Sequence, residues 1–225
     1  MPSRFNSQSD FVVRKCRDEL LPHQYDACVR VRTWFCQERR PEKAMVCMPT
    51  GTGKTGVMCC LPFFLGSELN DGAEKVVFNG PILVIAPNLD IASQLKRAML
   101  PSSENFLVKR SIVPNEKSTK RDVLPTGIKV EERSELAEED LECCDLVIAN
   151  AQKFLEGPWQ SELPDNFFEV VMVDEAHHFP AETWKRIIKK FESYAKVVFL
   201  TATPYRSDGK EVVVGDFAFR LSLRE

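Results

Sequence analysis

The chain has 225 residues, a formal net charge of −3, 44% hydrophobic residues and 28% charged ones. That leaves room for one large domain or two small ones, and the ordinary globular balance excludes fibrous and wholly disordered classes. No apolar run nears the roughly 18 residues of a membrane-spanning helix, and no global basic field advertises nucleic acid.

The first 19 residues read as an N-terminal extension without the apolar core of a signal peptide. A helical pattern follows at 22–39, a short apolar strand at 44–48 and a helix at 54–65. Residues 67–80 are polar and read as a surface loop. Further strands are expected at 82–86, 145–149, 170–173 and 197–200, with weaker ones at 110–113 and 127–130. Helices are expected at 91–100, 135–141 and 181–191, and a basic loop at 114–126 carrying Lys117, Lys120 and Arg121. The main strands are continuously apolar, as parallel strands covered on both faces are. Strands alternating with helices imply βαβ units and a parallel sheet, an α/β fold. The helix at 181–191 sets Trp184, Ile187, Ile188 and Phe191 on one face and Lys185, Arg186, Lys189 and Lys190 on the other. That basic face and the 114–126 loop are candidate nucleic-acid patches, although lysines opposite an apolar face are commonly just solvated.

The eight cysteines are Cys16, Cys28, Cys36, Cys47, Cys59, Cys60, Cys143 and Cys144. None forms a C-x-x-C pair, so zinc-ribbon and thioredoxin patterns fail. Buried, reduced thiols are expected, and with them an intracellular protein of cytoplasm or nucleus that is not secreted.

Residues 48–55 read Met-Pro-Thr-Gly-Thr-Gly-Lys-Thr, after a strand and at the opening of a helix. That is the setting of a phosphate loop. Glycines let the backbone turn its N–H groups toward phosphate oxygens, and the helix adds its positive N-terminal end. Pro49, Thr50, Gly51, Thr52 and Gly53 would form the cradle. Lys54 would reach the β- and γ-phosphates of ATP, and the Thr55 hydroxyl would hold Mg²⁺. Met48 stands where the strict pattern has glycine. Residues 170–173 run into Asp174-Glu175-Ala176-His177-His178. An apolar strand ending in Asp-Glu is the second half of such a site. Asp174 would hold Mg²⁺, and Glu175 would orient or deprotonate the attacking water. Two adjacent histidines point different ways and lack a third ligand, so a zinc site is disfavoured.

With a third motif, Leu200-Thr201-Ala202-Thr203-Pro204, these segments resemble superfamily 2 helicases and translocases. The Asp-Glu-Ala-His-His and Thr-Ala-Thr-Pro-Tyr-Arg stretches look most like the branch of type III restriction-enzyme motor subunits and related DEAD/DEAH-like helicases. The resemblance implies that Thr201 and Thr203, with His177 of the acidic box, couple the ATP site to nucleic acid. Leu21-Pro22-His23-Gln24 is similar to an adenine-contacting element, which would make Gln24 the base reader, although the family often has Arg where Leu21 stands. Residues 82–95 resemble a first nucleic-acid segment, implying contacts from Pro87, Asn88 and Gln94. Asn88 and Leu89 replace the family's Thr-Arg there and remove a phosphate-pairing charge. Residues 147–152 resemble a second backbone-contact segment, implying Asn150 and Gln152.

The implied fold is a three-layer RecA-like phosphate-loop NTPase domain with a mainly parallel central sheet. It spans 20–206, and 207–225 begin a linker toward a second RecA-like domain. That second lobe, in cis or in trans, would supply the other wall of the ATP site. The implied function is an ATP-dependent helicase or translocase domain using ATP and Mg²⁺, weak or inactive alone, with DNA or RNA as partner and no membrane. The alternatives are a non-enzymatic nucleotide- or nucleic-acid-binding module, or one half of a split motor.

Overall fold

A computed structural model describes residues 4–37, 43–67, 81–130, 144–156, 163–176, 181–203 and 217–222. In chain order its elements are α1 (Arg4–Ser7), α2 (Ser9–Glu19), α3 (Pro22–Cys36), β1 (Lys43–Cys47), α4 (Lys54–Gly66), β2 (Ile82–Ala86) and α5 (Leu89–Met99). Then come α6 (Phe106–Lys109), α7 (Lys117–Val123), β3 (Gly127–Lys129), β4 (Leu146–Asn150), α8 (Ala151–Glu156), β5 (Val170–Asp174), α9 (Ala181–Phe191), β6 (Lys196–Thr201) and β7 (Phe217–Arg220). The strands form one seven-stranded sheet in the order β3-β4-β2-β5-β6-β1-β7. Every pairing is parallel.

The continuous apolar strands are buried because helices cover both faces. Ile82, Val84 and Ala86 of β2 face a core shared with α2, α3, α4 and α5. Leu83 and Ile85 face a second core, where Phe154 of α8 and Phe191 of α9 pack with Phe168. This is the expected three-layer α/β/α arrangement. Helix α4 is apolar on nearly every side, and residues 56–66 are all buried. A helix hydrophobic all round belongs inside. The phosphate loop therefore opens onto an element fixed by the core.

The strand expected at 110–113 is not formed. The Asn105 side chain accepts the Val108 N–H and donates to the Met99 and Leu100 carbonyls, which starts the short helix α6 and ties it to the end of α5. The chain then turns at Ser111, in the left-handed region at φ 57°. Ile112 and Val113 are buried, but as plugs rather than as a ladder. The loop expected at 114–126 holds α7, which buries Val123. Helix α3 ends at Cys36 rather than 39, and α5 begins two residues before its expected start because Asn88 caps it. The helix expected at 135–141 and the loop at 68–80 lie outside the described residues.

Beyond the short helices α1, α6 and α8, the sequence reading also lacks two longer-range features. Residues 1–19 contain α2, whose Val12, Val13 and Cys16, with Leu20 beyond its end, are buried at helical spacing against α4. Residues 207–225 contain β7, which pairs with β1 at the sheet edge. The four-residue strand Phe-Ala-Phe-Arg is too short to stand out by pattern.

Candidate functional site

Strand register assembles the site. β5, β6 and β1 are neighbours, with Asp174 level with Leu200 and Cys47 level with Thr201. The acidic pair, the threonine motif and the loop after β1 therefore reach the same end of the sheet. The Met48 N–H donates to the Thr201 carbonyl at 2.9 Å, carrying the ladder one residue into the loop. Gly51 (φ 81°) and Gly53 (φ 89°) take left-handed conformations that L side chains resist. The Thr52 hydroxyl closes the turn on the Pro49 carbonyl at 2.6 Å. Thr50 and Gly51 are exposed, while Thr55 is half-buried in the first turn of α4.

Lys54 is buried. Its ammonium donates to the Met48 carbonyl at 3.2 Å and pairs with Glu175 Oε1 at 3.0 Å. The other carboxylate oxygen, Glu175 Oε2, accepts the Ala202 N–H at 3.3 Å. Glu175, in a left-handed conformation at φ 46°, thus bridges the loop lysine to the threonine motif. There the Thr201 hydroxyl donates to the Thr203 carbonyl at 2.7 Å and sits 3.3 Å from the Thr203 N–H. Asp174 is buried beside this bridge. Loss of water, reinforced by the Glu175 charge and only partly offset by Lys54, pushes its carboxyl up to about 6.

The start of α3 clasps the loop from the other side. His23 Nε2 lies 2.8 Å from the Thr52 carbonyl. Gln24 Nε2 donates to the Gly53 carbonyl at 2.8 Å, and its Oε1 accepts the Leu21 N–H at 3.1 Å. A Cβ on Gly53 would lie 2.2 Å from Gln24 Nε2, and one on Gly56 would lie 2.7 Å from it. The sequence reading missed this second use of glycine at Gly56 and the part of His23. The adjacency of His23 to Gln24 was the only sign of the latter.

The expected nucleic-acid residues gather at the ends of β2 and β4, where Ala86 is level with Asn150. Asn150 Nδ2 donates to the Pro87 carbonyl at 3.2 Å, and its Oδ1 accepts the Gln152 and Lys153 N–H groups. Asn88 caps α5 by accepting the Ile91 N–H at 2.8 Å. Gln152 donates to Glu156, and Gln94 is exposed on α5. The basic residues Lys117 and Arg121 are exposed on α7, and Lys190 of α9 pairs with Asp165 at 3.0 Å. His177 lies outside the described residues.

A family described as type III restriction enzyme, res subunit, matches residues 17–206, most of the chain. The chain belongs to that family. A search of curated proteins gives no match. Three solved structures are similar. The UvsW helicase from bacteriophage T4 has 16% identity and a TM-score of 0.49 over 82% of this chain and 52% of that one. A fragment of a putative HsdR subunit of a type I restriction enzyme from Vibrio vulnificus YJ016 has 21% identity and a TM-score of 0.53, over 90% of this chain and 30% of that one. A hypothetical ATP-dependent RNA helicase from Sulfolobus tokodaii has 18% identity and a TM-score of 0.50, over 87% and 51%. The chain thus spans about half or less of the structures it matches. The fold is RecA-like, a parallel sheet covered on both faces as in the second and third of these structures. No helix among the described residues is long and apolar enough to cross a membrane.

Proposed function

We propose that the domain binds ATP with Mg²⁺ and hydrolyses it as one lobe of a nucleic-acid motor. The observation that carries this reading is the chain Lys54–Glu175–Ala202, which ties the phosphate loop to the threonine motif through one carboxylate. A γ-phosphate arriving at residues 49–55 competes with Glu175 for the Lys54 ammonium. Glu175 is then free to orient a water, and its grip on the Ala202 N–H loosens. Occupancy of the loop is in this way transmitted to Thr201 and Thr203.

The donor set suits a divalent cation. Asp174 is a buried carboxyl short of positive compensation, and Thr55 offers a hydroxyl beside Lys54. Mg²⁺ held by Asp174 and Thr55 would neutralise charge on the phosphates. Gln24 and His23 hold the loop in shape through the Gly53 and Thr52 carbonyls. Pro87, Asn88, Gln94, Asn150 and Gln152 mark a backbone-contacting face for DNA or RNA, with little sequence preference. A second RecA-like lobe, in cis or in trans, completes the catalytic wall, and an arginine from it is worth roughly a thousandfold or more in rate. The domain works inside the cell, in keeping with the buried thiols of Cys16, Cys28, Cys59 and Cys60.

Steady-state hydrolysis by the purified chain, with and without single- and double-stranded DNA and RNA, tests this. The expected result is tight dependence on Lys54 and slow turnover that nucleic acid raises. ATP binding without any turnover, even with nucleic acid, would favour a binding module. Turnover in the usual enzyme range by the chain alone would sink the need for a second lobe.

A further inference from the structure

We infer that Lys129 of the edge strand β3 supplies a phosphate-binding charge to the ends of β2 and β4, an inference that rests on reading those ends as the nucleic-acid face. A surface that grips a nucleic-acid backbone draws its affinity from cations. The turn after β2 offers none of its own. Its exposed side chains are Asn88, Leu89, Asp90 and Gln94, one of them acidic and none basic. Across the face, Lys153 of α8 is paired with Glu156 at 3.1 Å. Lys129 brings a positive charge to this turn from another strand. Its ammonium donates to the Ser93 hydroxyl of α5 at 2.8 Å, and that hydroxyl donates to the Leu89 carbonyl at 2.9 Å.

A lysine on an edge strand ordinarily points outward, where its charge discourages another strand from pairing. Lys129 turns inward instead. It is level with Ile148, which faces the core beneath α5, and it is 6% exposed. Lysine is seldom buried so far, because its charge gives up water. The ammonium nevertheless lies close to the surface. Lys129 is two residues short of the level of Asn150, about 7 Å along the strand, and Ser93 is only half-buried. Ser93 therefore holds the charge at the margin of α5 by a neutral acceptor. A phosphate oxygen is an ionised acceptor and makes a bond about twice as strong. It takes the ammonium over from Ser93, and the flexible four-carbon stem lets the charge follow. Much of the water has already been lost on folding, so the exchange costs less desolvation than it would for an exposed lysine.

The test is fluorescence anisotropy of labelled single-stranded DNA and RNA oligonucleotides, titrated with the full 225-residue chain over a series of salt concentrations. Lys129→Met keeps the apolar stem and loses the charge. It is expected to flatten the slope of log affinity against log salt by about 0.7, the share of one phosphate on a single strand. Lys129→Arg should keep the slope. Adding Leu89→Arg to Lys129→Met should restore it, which a merely structural loss would not allow. An unchanged slope in Lys129→Met overturns the inference, as does a loss that Leu89→Arg fails to restore. Should Lys129→Met not fold, Leu89→Arg in the otherwise wild-type chain decides. The slope stays put if Lys129 already meets that phosphate, whereas steepening by about 0.7 overturns the inference. Absence of binding by the wild-type chain at every salt concentration sinks the nucleic-acid reading of this face and the inference with it. Binding that ignores Lys129 sinks the inference alone.

Discussion

The ends of β1, β5 and β6 and the ends of β2 and β4 are built from the same material, strand-to-helix turns at one end of one sheet, yet they are held differently. At the first, three side chains are fastened to distant parts of the chain: Lys54 to Glu175, Gln24 to Gly53, Glu175 to Ala202. At the second, Asn88 caps its own helix, Gln152 pairs within its own helix, and the Asn150–Pro87 bond crosses between strands. Long-range fastening holds a backbone in one shape, ready for a ligand of fixed geometry. Local caps leave each turn independent, which suits a surface that grips a polymer by its backbone. The phosphate end should therefore respond sharply to single substitutions and the other end mildly.

The largest effect is expected from Lys54→Ala. Hydrolysis should fall by about a hundredfold or more, the usual size for removing one charge-stabilising donor. Unchanged turnover would break the comparison at its root.

Next comes Asp174. Its carboxyl titrates near 6 in the fold, above its ordinary value near 4. The fold therefore favours the protonated form, so this contribution to stability is complete below about pH 4 and is lost as pH rises through about 6. A rise of that size is worth about 3 kcal/mol. Asp174→Asn cannot ionise, so its melting temperature should overtake that of the wild type as pH climbs from 5 to 8, while hydrolysis is lost. Added Mg²⁺ should raise the wild type at pH 8 and leave the variant unmoved. A gap that does not widen with pH would show that Asp174 carries no desolvation penalty.

Two glycines sharpen the point. Gly51→Ala meets nothing within 4 Å, so it bears only the backbone cost of a left-handed residue, about 1 kcal/mol. Gly53→Ala bears that and also drives Cβ to within 2.2 Å of Gln24 Nε2. Its nucleotide affinity should fall further than that of Gly51→Ala, by about another fivefold, the size of one neutral hydrogen bond. Equal losses would mean the clasp does nothing.

The smallest effects belong to the other end. Asn88→Ala removes one helix cap and should lower stability by about 1 kcal/mol, read from chemical denaturation. Gln152→Ala should stay within about 0.5 kcal/mol. Neither should change nucleic-acid affinity more than about tenfold at a fixed salt concentration. A larger loss would mean that this end is as specialised as the first.

The parallel sheet and the phosphate loop were legible because they rest on local signals. Five apolar runs such as Ile82–Ala86 are too hydrophobic for anything but a covered strand, and Gly51 and Gly53 before Lys54 fit few other turns. The strand expected at 110–113 misled because Ile112 and Val113 are as apolar as strand residues, while the cause of the turn lies in the side chain of Asn105. Helix α2 showed its buried spacing but not its partner α4, and β7 is recognisable only by the strand it joins.

By itself the sequence determined which residues carry charge, hydroxyl or flexibility, and in what order, because motif spacing is a property of the chain. Only the tertiary structure decided that Glu175 joins Lys54 to Ala202, that Gln24 is turned onto Gly53 rather than outward, and that Asp174 is dry enough to hold its proton to about 6. These facts depend on strand register and on distances between residues far apart in the chain. Hydrogen bonds and desolvation act through those distances and not through sequence order.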